Sequence, residues 1–200
     1  MIRVAHHQAA FAGRGDALLV EPVRAGVQLY RLDGSGAPKV LATPSVPRLY
    51  ASARDDVAGW LGGNVEHWVD IEHGTVFRTD WCAHREETVP LALGVSPTGR
   101  RVVVCQDGRI LSSDETGHGP ARLILKLDAS RVAPITLAFS VPDGRRAVLG
   151  LASGGAVVID LVEGRVVRTF ERDSGALFDV ALAGDRLALS DGRNKVYVLE

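Results

Sequence analysis

The chain repeats itself. A module of about 43 residues recurs from one end of the 200-residue sequence to the other, and self-similarity at such a period restricts the fold to arrays of one supersecondary unit. The clearest copies run from Leu91 to Val104 and from Thr136 to Leu149; Pro97 matches Pro142, and a Gly-Arg-Arg run starts at both Gly99 and Gly144. A fainter copy spans Asp179 to Leu189 around the Gly184-Asp185 turn. Segments from Leu49 and from Ala9 have the same layout, with Ala53-Arg54-Asp55-Asp56 and Gly13-Arg14-Gly15-Asp16 at the turn. Five copies are visible.

Within each copy, apolar runs rich in Val, Leu and Ile are short and broken by Gly, Asp and Pro, which is a strand pattern. The fourth copy reads as strands over Ile135 to Ser140, Ala147 to Leu151, Ala156 to Leu161 and Arg165 to Phe170. Asp143-Gly144 and Gly154-Gly155 supply the positive backbone angles of tight hairpins, so each copy is a four-stranded antiparallel meander. One meander cannot cover both of its faces. Packing successive meanders face to face around an axis does so, which predicts an all-β chain: a β-propeller of about five four-stranded antiparallel blades. The expected organisation is a single domain, 1–200, with blades at about 1–45, 46–88, 89–132, 133–175 and 176–200.

The strand-turn-strand segment from Phe139 to Leu161, and the third-strand endings Trp68-Val69-Asp70 and Ile159-Asp160-Leu161, resemble the WD-repeat family. No literal Trp-Asp dipeptide occurs, and Gly117-His118 is not followed by a strand in the usual register. The likeness is that of a degenerate WD-like propeller, and it covers nearly the whole chain. It implies a rigid, non-catalytic platform that binds protein partners through loops of the narrow face. Those loops are Trp81 to Thr88, Ala129 to Ala133, Glu171 to Gly175, Gly62 to Asn64 and Gln106 to Gly108. Trp81, His84, Arg85, Arg131 and Arg172 are the expected partner contacts, because exposed aromatic and arginine side chains anchor interfaces.

Composition restricts the partner. Residues are 46% hydrophobic and 24% charged, with a formal net charge of −1, so no general attraction to nucleic-acid phosphate is expected. The paired arginines Arg100-Arg101 and Arg145-Arg146, with Arg186, fall at equivalent turns and read as a solvated rim. No apolar run approaches the roughly 20 residues of a membrane-spanning helix, and the first residues lack the apolar core of a secretory signal. Cytoplasmic residence is therefore expected, and the excess of arginine over lysine suggests a bacterial source. Cys82 and Cys105, the only cysteines, read as reduced, partly buried thiols.

No constellation of residues points to catalysis, and no cofactor or metal is expected. Asp80, Cys82 and His84 with His67 or His73 could form a zinc set, but the spacing fits no standard motif. His6 and His7 are adjacent in a strand and point to opposite faces. Cys105 lacks a nearby histidine, and neither Gly13 to Gly15 nor Ser153-Gly154-Gly155 fits a phosphate loop. The alternative function is a small-ligand sensor or enzyme using a central channel, with His6, His7, Gln8 and Asp179 as inner-strand candidates.

After Gly192 the last copy supplies only a third strand, Asn194 to Glu200. Three arrangements follow: a five-bladed ring closed by the first residues, an incomplete ring completed by another chain, or a longer propeller cut to this length. The leading expectation is a non-enzymatic scaffold, a subunit of a multiprotein assembly. Partners would dock on the loops or add a strand along the open edge at Val196 to Leu199.

Overall fold

The structure is a computed structural model that describes residues 6–12, 17–22, 26–33, 37–41, 47–50, 57–62, 65–83, 88–114, 119–128, 134–141, 143–171, 177–191 and 195–199. Every regular element among them is a β-strand. No helix among the described residues is long and apolar enough to cross a membrane. The chain divides into two compact units, Met1–Asp80 and Trp81–Glu200.

The first unit holds two four-stranded antiparallel meanders. One consists of β1 (His6–Ala12), β2 (Ala17–Pro22), β3 (Gln28–Arg31) and β4 (Lys39–Val40); the other of β5 (Pro47–Tyr50), β6 (Val57–Gly62), β7 (Val65–Asp70) and β8 (Thr75–Thr79). Ala17, Val27 and Leu29 from the first pack with Ala58, Trp60, Val69 and Ile71 from the second in one buried cluster. Neither meander hides its apolar face alone, and stacking removes that surface from water at about 25 cal/mol per Å².

The second unit carries β9 (Pro90–Val95), β10 (Arg101–Cys105), β11 (Arg109–Ser112) and β12 (Arg122–Lys126) as one meander, and β13 (Pro134–Val141), β14 (Arg146–Leu151), β15 (Ala156–Asp160) and β16 (Arg165–Phe170) as the next. The four strands expected between 135 and 170 lie within one residue of these ends. A third group, β17 (Leu177–Ala183), β18 (Arg186–Asp191) and β19 (Val196–Leu199), has three strands. First strands β13 and β17 run parallel and pair through Ser140 with Leu182 and Val141 with Ala183.

Burial follows position in the meander. Strands β10 and β15 are buried at every residue, whereas the fourth strand β16 is exposed from Arg165 to Thr169. A continuous apolar run such as Val102-Val103-Val104 fits a strand covered on both faces. Turns also pack on turns: a Cβ at Gly144 would lie 2.9 Å from Pro97 Cδ and 3.0 Å from Ser96 Cβ. The glycine at this turn, with φ of 60°, thus serves both the backbone angle and the close approach.

Candidate functional site

Two sequence expectations meet at the start of the second unit. Trp81 and Cys82 sit in a turn beside the end of β10, and Cys82 is joined to Cys105 by a disulfide with a Cα–Cα distance of 5.5 Å. This corrects the reading of the two cysteines as reduced thiols. A count of two argued against a disulfide framework, but a single bridge needs only that the fold bring two cysteines to within about 4.4–6.8 Å. Both are fully buried.

The same turn is held by further bonds. Arg109 Nη2 donates to Cys82 O at 2.9 Å, while its Nε donates to Asp107 Oδ2. Gln106 N donates to Val89 O, and Gly108 N to Cys105 O, which closes the β10–β11 turn. Trp81 is half-buried, and the Arg101 guanidinium lies over its ring, 5.4 Å from the centroid. A cation stacked on indole attracts its quadrupole. Burial pulls the Arg101 pKa down against the opposing field of Asp114. Of the expected partner contacts, Trp81 is thereby placed; His84, Arg85, Arg131 and Arg172 lie outside the described residues.

Arg145 and Arg186 lie at the surface as the solvated-rim reading expects, whereas buried Arg101 corrects it at that position. Arg100 Nη1 donates to Leu161 O at 3.3 Å, and Arg101 is 6% exposed. Arg145 pairs with Asp160 at 2.9 Å and Glu163 at 2.8 Å, and Arg146 with Asp185 at 2.6 Å. Arg100 and Arg146 reach the next repeat because the turns themselves are packed together, while Arg145 pairs within its own. Charge pattern alone carries no information about that neighbour.

A recurrent device emerges at the third-strand endings. Asp70 Oδ1 accepts the His73 N–H at 2.9 Å, and Asp160 Oδ1 accepts those of Val162 and Glu163, each at 2.9 Å. Gly74 and Gly164 then take φ of 60° and 63°. The aspartate at the WD-like position therefore caps the turn to the fourth strand. Burial raises the Asp160 pKa, but the Glu163 N–H, the Arg145 guanidinium and the Val162 N–H outweigh it and hold the carboxyl below its ordinary value. The His73 N–H does the same for Asp70, and the Asp70 carboxylate in turn raises His73. Sequence reasoning noted the two aspartates and read Val162-Glu163-Gly164 as a connection, but did not link each aspartate to the glycine four residues on, which was the available signal.

The zinc set does not assemble around Cys82, whose sulfur is in the disulfide. His67 stacks on Trp60 with centroids 5.2 Å apart and planes 6° apart. Among the described residues, no group of three or more His, Cys, Asp and Glu is placed to hold a metal. The side chains of His6, His7 and Gln8 are outside the described ones, and exposed Asp179 accepts the Val180 N–H.

One groove opens in the second unit where β12 meets the β15–β16 turn. Arg100, Asp114, Arg122, Ile124, Leu161 and Val162 line it, with a volume of about 480 Å³. Ser113 shapes its floor by accepting the Arg101 N–H and donating to Asp114 O.

No family model matches the chain, and no curated protein matches its sequence. Solved structures do. The β-propeller domain of Cps50 (Swd1) from Myceliophteria thermophila superposes with a TM-score of 0.73 at 13% identity, over 99% of this chain and 66% of that one. Sqt1 of Chaetomium thermophilum, solved bound to the N-terminus of ribosomal protein L10, gives 0.71 at 16% identity, over 98% of this chain and 58% of that one. This chain thus spans somewhat under two thirds of the length of either. At such identities the likeness concerns the fold alone. The fold is that of a WD-repeat-like β-propeller.

Proposed function

We propose that this chain is a non-enzymatic protein-interaction scaffold and a subunit of a multiprotein assembly. The observation that carries the reading is its propeller fold, shared across nearly its whole length with a protein captured holding a ribosomal-protein segment. Propellers of this kind display loops on a rigid frame. In this reading residues 1–200 act as one domain with blades at about 1–45, 46–88, 89–132, 133–175 and 176–200.

Partner contacts are assigned to Trp81, His84, Arg85, Arg131 and Arg172. The disulfide and the Arg109 bonds favour this, since a turn held before binding loses less conformational entropy on binding. The edge of β19 is the second assigned surface. Val196 and Val198 are 70% and 66% exposed, and among the described residues β19 pairs only with β18. An added partner strand would satisfy that edge. Cytoplasmic residence belongs to the same reading, but the Cys82–Cys105 disulfide weighs against it, since such bonds persist in oxidising compartments.

The test is capture of the tagged chain from its native cells. A protein retained in stoichiometric amount by the wild type, and lost with Arg85→Glu combined with Arg172→Glu, supports the reading. No retained protein, or one held equally by the double variant, overturns it.

A further inference from the structure

The junction between the outer strand of one repeat and the Asp-to-Gly turn of the next occurs in both units, and the two are finished differently. In the first unit Arg31 Nη2 donates to Ile71 O and Glu72 O, each at 2.8 Å, and Lys39 Nζ donates to His73 O at 3.0 Å. Three consecutive turn carbonyls are thereby covered by cations from the preceding repeat. Gly74 is pressed so close that a Cβ would lie 2.7 Å from Lys39 Nζ.

The equivalent turn two repeats further on is Leu161-Val162-Glu163-Gly164. Here Arg100 reaches Leu161 O, and Gly164 backs onto Ile124, where a Cβ would lie 2.6 Å from the carbonyl oxygen. The contact seals one side of the junction. The remainder is the groove of about 480 Å³.

Its chemistry is of two kinds. Arg122 and Ile124 both line it from β12, where the register against β11 shifts by one residue. Arg122 is exposed and, among the described residues, forms no ion pair that would compete for it. The carboxylates of the facing turn are already engaged: Asp160 by Arg145, and Glu163 by Arg145 and Arg165. Asp114 acts on Arg101. By formal count two guanidinium groups line the groove against one carboxylate. Beside them, Ile124, Leu161 and Val162 supply apolar lining, with Val162 63% exposed.

We propose that this groove binds an extended acidic peptide segment of a partner protein, with a carboxylate on Arg122 beside Arg100 and a neighbouring apolar side chain on Val162 and Ile124. The proposal rests on the scaffold reading and gives it a site and a partner chemistry distinct from the Trp81 loops. Charge complementarity selects the acid, since planar guanidinium groups pair bidentately with carboxylates. The apolar lining selects a peptide over a nucleic-acid strand, whose affinity comes from successive phosphate contacts.

Fluorescence anisotropy of the whole chain with a labelled octapeptide of core Asp-Leu-Glu-Val tests this, with an Asn-Leu-Gln-Val peptide and a labelled oligo-uridine as comparators. The acidic peptide should bind at least about tenfold more tightly than the neutral one, a difference of about 1.4 kcal/mol. That preference should fall by a similar factor with Arg122→Glu, with Val162→Asp, and on raising salt from about 50 to 500 mM. Both substitutions fall at exposed positions, and an unchanged thermal midpoint confirms that each variant folds. Equal affinity for the acidic and neutral peptides, no binding of either, or tighter binding of the oligo-uridine overturns the proposal. If native-cell capture still succeeds in that event, only the groove assignment falls; if capture returns no protein, the scaffold reading falls with it.

Discussion

Gly94 and Phe139 hold equivalent places in consecutive repeats, and the ring of the second occupies the space that a side chain on the first would need. A Cβ on Gly94 would lie 2.8 Å from Phe139 Cε2 and 3.5 Å from Leu137 Cδ2. The meanders of β9 and β13 therefore interlock as bump and hollow. Gly94→Val should cost about 1–3 kcal/mol by overpacking, and Phe139→Ala about 3–5 kcal/mol by leaving a cavity. Combined, the two should cost less than their sum, because the valine fills part of that cavity. Urea midpoints of the three variants check this, and strict additivity would contradict the interlock.

Cys82 and Cys105 stand 23 positions apart and close one loop over the start of the second unit. Reduction, or Cys82→Ala, should lower stability by about 2–4 kcal/mol. The thermal midpoint with and without a phosphine reductant reports it. An unchanged midpoint, with two thiols titrating in the unfolded but untreated protein, would show that the bond does not form in solution.

Asp160 links acidity to folding. Its carboxylate is 4% exposed, accepts two backbone N–H groups and pairs with Arg145. Its folded pKa is depressed below 3.8, so its contribution is present above that value and is lost as pH falls through the folded pKa. Asp160→Asn should lower stability at neutral pH and flatten the acid limb below about pH 4. Removing the group entirely with Asp160→Ala should cost about 3 kcal/mol at pH 7, since the turn amides lose their acceptor. An acid limb identical in wild type and Asp160→Asn would refute the assignment.

His67 is coupled to pH in a higher window. Burial beside Trp60 and the charge of Arg78 lower its pKa from 6.5, against the Gly62 backbone hydrogen bond. A depressed folded pKa means that the stabilising difference is whole above 6.5 and disappears as pH falls through the folded value. Its ring resonances should titrate below that of exposed His73, whose pKa is raised by Asp70. Reversal of that order in an NMR titration would contradict the stacked, half-buried placement.

Strand positions were legible because each apolar run carries its own punctuation: the Gly-Arg-Arg turns and the Asp-Gly pairs fix hairpins locally. The strands from 135 to 170 were readable to within one residue for that reason. What depended on the next repeat was not. Arg146 finds Asp185 and Arg100 finds Leu161 O only through turn-on-turn packing, and a pattern along one chain does not encode that approach. The cysteine pair was hidden in the same way, since β10 and the turn at Trp81 meet only in the folded unit. The turn-capping aspartates were partly visible: Asp70 and Asp160 were noted, but not their spacing of four residues to the glycine that takes the positive φ of the turn they cap. The groove had no sequence signal, because its basic and apolar lining comes from three segments.

The scaffold account is tested most directly by hydrogen exchange on the stoichiometric complex captured from native cells, compared with the free chain. Slowed exchange should concentrate at 81–88, 129–133, 171–175 and 196–199, with additional slowing at 122–124 and 161–163 when the bound segment is acidic. Slowing confined to other strands, or a chain that yields no stoichiometric protein complex to measure, would contradict the account.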